Sequence, residues 1–312
     1  MKIEKRLTVA YSLRKKNLSE RTQLFFLGLP VIIMIFIFSY VPLFGWLLAF
    51  FDFKPGIPLS RTPFVGLKFF EMIISDSSDL LNALRNTCAF YLLNLITSPL
   101  PVVFAILLAE VRNTRFKKIV QTITTLPNFV SWVIVFALSF SIFSNDGLLN
   151  QLLINLKIIS EPTNLLGNSD MAWIFQTLIG IWKGLGWGAI IYLSAITAID
   201  SELYDAAEVD GAGRFRRIFH ITVPGVAPTF IVMLILGISN LLSVGMEQYL
   251  VFYNGLVADK ITVLDLYLYR TGILASDYSY STAVGISKTF ISIILLFIAN
   301  TLAKKVRGYG II

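Results

Sequence analysis

The 312 residues are 56% hydrophobic and only 14% charged, whereas soluble domains average about 45–50% apolar and about 25% charged. Mean hydropathy is +0.74 and the formal net charge is +7. These values exclude a soluble enzyme, a disordered tail and a collagen-like fibre, and they leave a polytopic helical membrane protein. A single cysteine, Cys88, and a single histidine, His220, supply no His/Cys cluster for zinc or haem. Cys88 reads as a small buried hydrophobe and His220 as a structural residue at a membrane interface. The chain has no GxxxxGK[ST] loop, so any ATP it depends on is bound by another subunit.

In chain order, residues 1–23 form a basic tail. It is not a cleavable signal peptide, because the apolar run behind it is too long and no A-x-A site follows. A spanning helix needs about 20 apolar residues, and six stretches qualify. The first covers 24–50 and carries Pro30, Pro42 and Gly45, which kink or end it. The second lies between Arg85 and Glu110, and the third between Lys118 and Asp146. The fourth covers about 171–199, the fifth about 218–246 and the sixth about 281–303. Barrel strands would be shorter and strictly alternating. The predicted fold is an all-α membrane protein with six transmembrane helices over 24–305 and a short tail at 306–312.

Lysine and arginine set orientation. The N-terminal tail, loop 110–118, loop 200–217 and the C-terminal tail carry seventeen of them, and the opposite loops carry seven. This places both termini in the cytoplasm. The charge reports topology, and no nucleic-acid partner is expected. The opposite loops, about 52–85, 146–170 and 247–280, are long. The last holds Tyr249, Tyr253, Tyr267, Tyr269, Tyr278 and Tyr280, which suit either sugar stacking or an interfacial aromatic belt.

Loop 200–224 is charged and lies between two spans. Residues 201–210 are good helix formers with acids near the start. Gly211 and Gly213 offer a turn. A basic amphipathic stretch with Phe215, Ile218 and Phe219 follows, and Pro224 sits where the next span begins. The prediction is two short helices bent at a glycine, an elbow able to dock in a partner's groove.

Asp205-Ala206-Ala207, then Asp210-Gly211, then Ile221-Thr222-Val223-Pro224 resemble the EAA loop of binding-protein-dependent ABC transporter permeases, E-A-A-x3-G-x9-I-x-L-P. The spacing matches throughout. Asp205 stands for Glu and Val223 for Leu. Further stretches, Ile181-Trp182-Lys183, Gly186-Trp187-Gly188, Tyr192-Leu193, Phe252-Tyr253-Asn254, Tyr269-Arg270 and Tyr278-Ser279-Tyr280, are similar to the sugar-uptake permeases related to the maltose transporter, closest to the branch importing complex oligosaccharides. The resemblance covers about residues 24–305. It implies the type I importer permease fold in the cell membrane, with no enzymatic activity and no cofactor on this chain. It also implies a second homologous permease, two ATPase subunits holding ATP and Mg, and an extracytoplasmic solute-binding protein. The substrate would be an oligosaccharide. In such a complex Asp205, Ala206, Ala207, Asp210, Gly211, Ile221 and Pro224 would couple to the ATPases.

The resemblance also points to a substrate path through Gly180, Trp182, Gly184, Gly237, Asn240 and Val244; Lys183 and Trp187 join it as a polar and aromatic wall of the fourth span, and Glu247, near the outer interface, reads as a gate, a contact for the binding protein or a solvated loop carboxylate. A charge inside a span faces a cavity or a partner. Lys183 therefore has two readings, a cavity wall touching sugar hydroxyls or a structural lysine on carboxylate or carbonyl partners. The glycines leave room for a sugar ring or pack helices together. Lys288 can snorkel from the sixth span. A permease for another small solute and a non-transporting scaffold are the alternatives. A membrane enzyme would need a catalytic constellation that one histidine and the scarcity of mid-span carboxylates do not provide.

Overall fold

A computed structural model describes residues 20–75 and 78–307. The expected basic tail through residue 19 and the end of the chain from residue 308 lie outside the described residues. Six helical stretches are long and apolar enough to cross a membrane: Leu24–Phe50, Ser78–Ala109, Trp132–Asn155, Ala172–Thr197, Arg214–Ser239 and Tyr278–Thr301. Among the described residues there is no sheet, only an isolated bridge between Phe51 and Phe64.

The first span is α-helical through Pro30 to Ile35. It passes through a π turn over Phe36–Tyr40 and tightens to a 3-10 helix over Val41–Phe50, where Pro42 removes a backbone donor. None of its apolar window is buried. Its end packs on the sixth span, around Ala49, Leu264, Ala283 and Val284. The second span starts at Ser78, earlier than expected, and breaks at Ser98-Pro99 before resuming over Leu100–Ala109. This second half packs on the fourth span, so closely that a Cβ on Gly188 would sit 3.3 Å from Pro101. Cys88 is exposed on the second span. An apolar thiol facing lipid or a partner helix needs no burial.

The third span departs most from expectation. Its predicted window holds two helices, Thr114–Thr125 and one starting at Trp132, separated by a 3-10 turn at Leu126–Phe129. Pro127 and Ser131, which caps the second helix through Ile134 N–H, account for the break. The span itself shifts to Trp132–Asn155. Such a break strands carbonyl groups, and in a bilayer each must find a partner within the protein. Lys183 of the fourth span supplies it. The lysine is buried, and its Nζ donates to the carbonyls of Pro127 (3.0 Å), Asn128 (2.9 Å) and Val130 (2.6 Å). It also lies 5.2 Å from the centre of the Trp132 ring. One turn later, Gly186 touches the Thr124 carbonyl, where a Cβ would come within 2.2 Å.

The fifth span begins at Arg214, runs through a π turn at Ile218–Thr222 and ends at Ser239. It stops a turn or two short of the expected 246. Asn240 caps its end and Gly245 turns with φ +91°. Residues 247–274 are short helices folded on the ends of the second, third and fourth spans. They form a core with Phe90, Val135, Tyr249, Phe252 and Leu266. Asn86, fully buried, ties this cap down by donating to the carbonyls of Asp259 and Thr262. Lys288, expected to snorkel, pairs instead with Asp265, whose other oxygen accepts from Gly245 N–H at 3.3 Å.

Replacing Lys183 by Met removes the ammonium donor from three carbonyls; that of Pro127 keeps the Val130 N–H, while those of Asn128 and Val130 lose theirs, at about 1–3 kcal/mol for each such group. The expected outcome is a clear loss of thermal stability and of folded yield, measured by fluorescence-detected size exclusion after heating. Lys183→Arg, which retains the charge and the donors, should recover part of it.

Candidate functional site: interior chambers and a helical elbow

Two chambers open between the second, fourth and fifth spans. One, of about 180 Å³, is lined by Asn94, Thr97, Ser98, Pro101, Gly180 and Gly184, among others. The other, of about 140 Å³, is lined by Tyr91, Asn94, Ser98, Tyr192, Phe230 and Gly237, among others. Asn94 and Ser98 belong to both and stand one turn apart on one face of the second span. No charged side chain lines either chamber. The walls offer amide and hydroxyl groups and aromatic faces, a chemistry for a hydroxyl-rich ligand.

Three of the predicted path residues meet here: Gly180, Gly184 and Gly237. An added Cβ on Gly184 or Gly237 would find open space, and one on Gly180 would lie 3.7 Å from Gln248. These glycines keep a space clear, unlike Gly186, Gly225 and Gly272, where a Cβ would come within 2.6 Å of a neighbouring atom. Asn94, Ser98, Gln176 and Gln248 were missed from sequence. Gln248 Nε2 donates to the carbonyl and side-chain oxygens of Gln176, both at 2.8 Å, beside Gly180. The signal for Asn94, Ser98 and Gln176 is the rarity of a polar side chain in a span; Gln248 lies outside the spans, in Glu247–Phe252, and carries no such signal.

The other predicted path residues lie elsewhere. Lys183 is turned onto the 126–130 break, so of its two readings the geometry matches the structural one. On a helix, positions 183 and 184 face about 100° apart, and only Gly184 lines the chamber. Trp182 and Trp187 are each 48% exposed on the bundle's outside, Trp187 meeting Phe129 edge to face at 5.7 Å. Asn240 is exposed at the end of the fifth span and donates to the Leu236 carbonyl. Val244 packs against the Tyr249 core. Glu247 is exposed in the first turn of Glu247–Phe252.

At the opposite end of the bundle stands the elbow. Asp200 caps Ser201–Val209 by accepting from Glu202 N–H. The helix ends in a Schellman turn: Ala212 N–H donates to the Ala207 carbonyl (2.8 Å) and Gly211 N–H to the Glu208 carbonyl (3.0 Å). Gly211 takes φ +72°, a region that glycine enters at no steric penalty. The chain then turns into Arg214–Arg217, which runs on into the fifth span where a separate second helix was expected. Arg217 pairs with Glu208 at 2.7 Å across the bend, and Arg214 with Glu110 at 2.6 Å, tying the elbow to the end of the second span. Both pairs are largely exposed and contribute little stability. Tyr204 and Thr222 hydroxyls meet at 2.9 Å. Asp205, Ala206, Asp210 and Gly211 are exposed, with Ala207 half-buried. Ile221 and Pro224 belong to the start of the fifth span. Val209 is 88% exposed and Phe215 75%, an apolar edge on a charged loop. His220 is exposed and its Nδ1 lies 3.0 Å from the Arg216 carbonyl.

The tyrosine-rich segment divides. Tyr249 and Tyr280 are buried in the core. Burial, and then the Asp265 carboxylate, push the Tyr249 hydroxyl above the usual tyrosine range, so it stays neutral. Tyr253 and Tyr267 line a third cavity discussed below.

The chain is 40% identical over 95% of its length to the "Polygalacturonan/rhamnogalacturonan transport system permease protein YteP" of Bacillus subtilis, covering 92% of that protein. It is 39% identical over 92% of its length to "Protein LplB" of the same organism, covering 90% of it. A solved bacterial ABC transporter "involved in the import of the acidic polysaccharide alginate" contains a chain with TM-score 0.83 and 31% identity, over 91% of this chain and 96% of that one. Residues 101–308 match the family described as "Binding-protein-dependent transport system inner membrane component". These matches and the six-span fold establish that the chain belongs to that family, as a multi-pass permease of the cell membrane.

Proposed function

We propose that this chain is one of two permease subunits of an ATP-binding-cassette importer for oligosaccharides, with the elbow and both chain ends on the cytoplasmic side. The observation that carries it is the pair of uncharged chambers kept open by Gly180, Gly184 and Gly237. They offer Asn94 and Ser98 to hydroxyls and Tyr91 and Tyr192 to ring faces. A permease for amino acids needs an anionic partner for the ammonium group, and these walls hold no carboxylate. The second permease closes the remaining side. A solute-binding protein delivers sugar to the face opposite the elbow. ATP and Mg sit on two ATPase subunits, which the exposed residues Asp205, Ala206 and Val209 and the Gly211 bend engage. Alternating access moves rigid parts between discrete arrangements.

Two substitutions separate the roles. Gly184→Leu fills open space, so the complex should assemble in normal amount while uptake of labelled oligosaccharide falls at least about tenfold. Normal uptake by that variant removes the chambers from the path. Gly211→Val forces a β-branched residue to positive φ, at about 1–3 kcal/mol of local strain. It should still insert in the membrane, but co-purify less ATPase and lose transport. A Gly211→Val protein that retains its ATPase and transports at the normal rate refutes the coupling assignment.

A further inference from the structure

The largest cavity among those described is not in the bundle interior. It has about 410 Å³ and lies at the face opposite the elbow, between the start of the second span and the 253–275 segment. That size falls within the roughly 300–1,000 Å³ of small-molecule sites. Its walls include Asn82, Tyr253, Asp259, Tyr267, Arg270 and Thr271. A smaller cavity of about 230 Å³ adjoins it, sharing Asp79, Tyr267 and Thr271.

Arg270 is the chemical centre of this cavity. Its guanidinium carbon lies 4.1 Å from the centre of the Tyr253 ring, a cation–π contact that holds the group at the cavity wall. Among the described residues it forms no ion pair and no side-chain hydrogen bond. The rest of the wall is braced. Asn82 and Asn86 both donate to the Asp259 carbonyl, at 2.9 and 2.8 Å. Ser169 donates to the Asp259 carboxylate at 3.1 Å. Tyr267 donates to the Tyr280 hydroxyl at 3.4 Å. The site therefore presents a held, half-buried guanidinium fork, two carboxylates, two threonines and two tyrosines on a fixed frame.

That combination fits a ligand carrying both a carboxylate and hydroxyls. A planar guanidinium binds a carboxylate through two parallel N–H bonds. Asp79 and Asp259 accept from hydroxyls, and Tyr267 offers a ring face. A purely anionic ligand would meet the two carboxylates, and a neutral one would leave the arginine unpaired. We propose that this cavity is a subsite for a uronic-acid residue of the oligosaccharide as it enters from the far face. The inference rests on the transport reading above and deepens it: the charge of the substrate is read at the entrance, by Arg270, and the inner chambers contribute uncharged hydrogen-bond partners. Arg270 lies back on Tyr253 inside a concavity, which suits a small acid better than a protein surface.

The test uses the complete membrane complex in nanodiscs, without the binding protein. Its probes are tetragalacturonate and its methyl-esterified, uncharged counterpart. Direct binding should favour the acid. Arg270→Gln should weaken acid binding about tenfold and leave the ester unchanged, with Arg270→Lys in between. Thr271→Leu, which narrows the cavity without touching the guanidinium, should weaken both. Each variant is first shown to assemble normally. Loss of both saccharides equally in Arg270→Gln, or of neither, overturns the proposal. So does weakened association of the binding protein with saccharide binding intact, which would make the cavity a docking socket. Arg270-dependent acid binding in a complex that transports neither saccharide upholds the subsite, and only the transport reading then falls.

Discussion

A backbone carbonyl without a partner is costly anywhere in a protein and most costly where no water reaches. The broken helix before Trp132 exposes the carbonyls of Asn128 and Val130, and the Lys183 ammonium satisfies both from the neighbouring span while adding a second bond to that of Pro127, which also accepts from Val130 N–H. One side chain thus fixes how the segment 114–131 lies on the fourth span. Gly186, one turn further, lets the backbones approach at the same place. With that contact fixed, the fourth span is held in rotation about its axis. Gly180 and Gly184 then face the second span while Trp182 and Trp187 face outward. The open chambers follow from a lysine that does not line them.

The same rule organises the face opposite the elbow. Asp265 and Lys288 neutralise each other between the sixth span and the cap, and the Thr87 hydroxyl accepts from Leu264 N–H. Asn86 and Asn82 take up the Asp259 carbonyl. The short helices over 247–274 would expose many backbone ends, and these polar side chains from the spans satisfy several of them. These bonds tie the cap to the spans, and within it Arg270 rests against Tyr253.

Much of this was legible in the sequence. The six apolar stretches, the glycine-bent elbow and its acidic first helix rest on local signals, namely length, charge, capping and positive φ. The second and fifth span boundaries moved because Asp79 and Arg85 are tolerated at a helix end, and because Asn240 and Gly245 stop a helix that hydropathy alone would continue. The third span starts later than hydropathy predicts because the Leu126–Phe129 turn, with Pro127 in it, interrupts an otherwise apolar run. The role of Lys183 could not be settled at that level: a lysine in a span needs a partner, but its partners were main-chain oxygens about 55 residues away, which no side-chain pattern announces. Asn94 and Ser98 escaped notice for a related reason. Their importance lies in what stands across from them.

The elbow's second half and the fifth span form one helical run from Arg214 to Ser239. Twenty-six residues at 1.5 Å each give a rod of about 39 Å. It is anchored near one end by the Schellman turn and by Arg214 on Glu110, and Gly237 stands near the other. A rod of that length is a lever. A tilt of about 5° imposed at the elbow moves its far tip by roughly 3 Å, comparable to the width of a hydroxyl-bearing carbon. The π turn at Ile218–Thr222 and the prolines at 224 and 228 place the irregular part of the rod close to the elbow and leave the rest of it straight. Small displacements at the elbow thereby reach the chamber wall at Gly237 as changes in width.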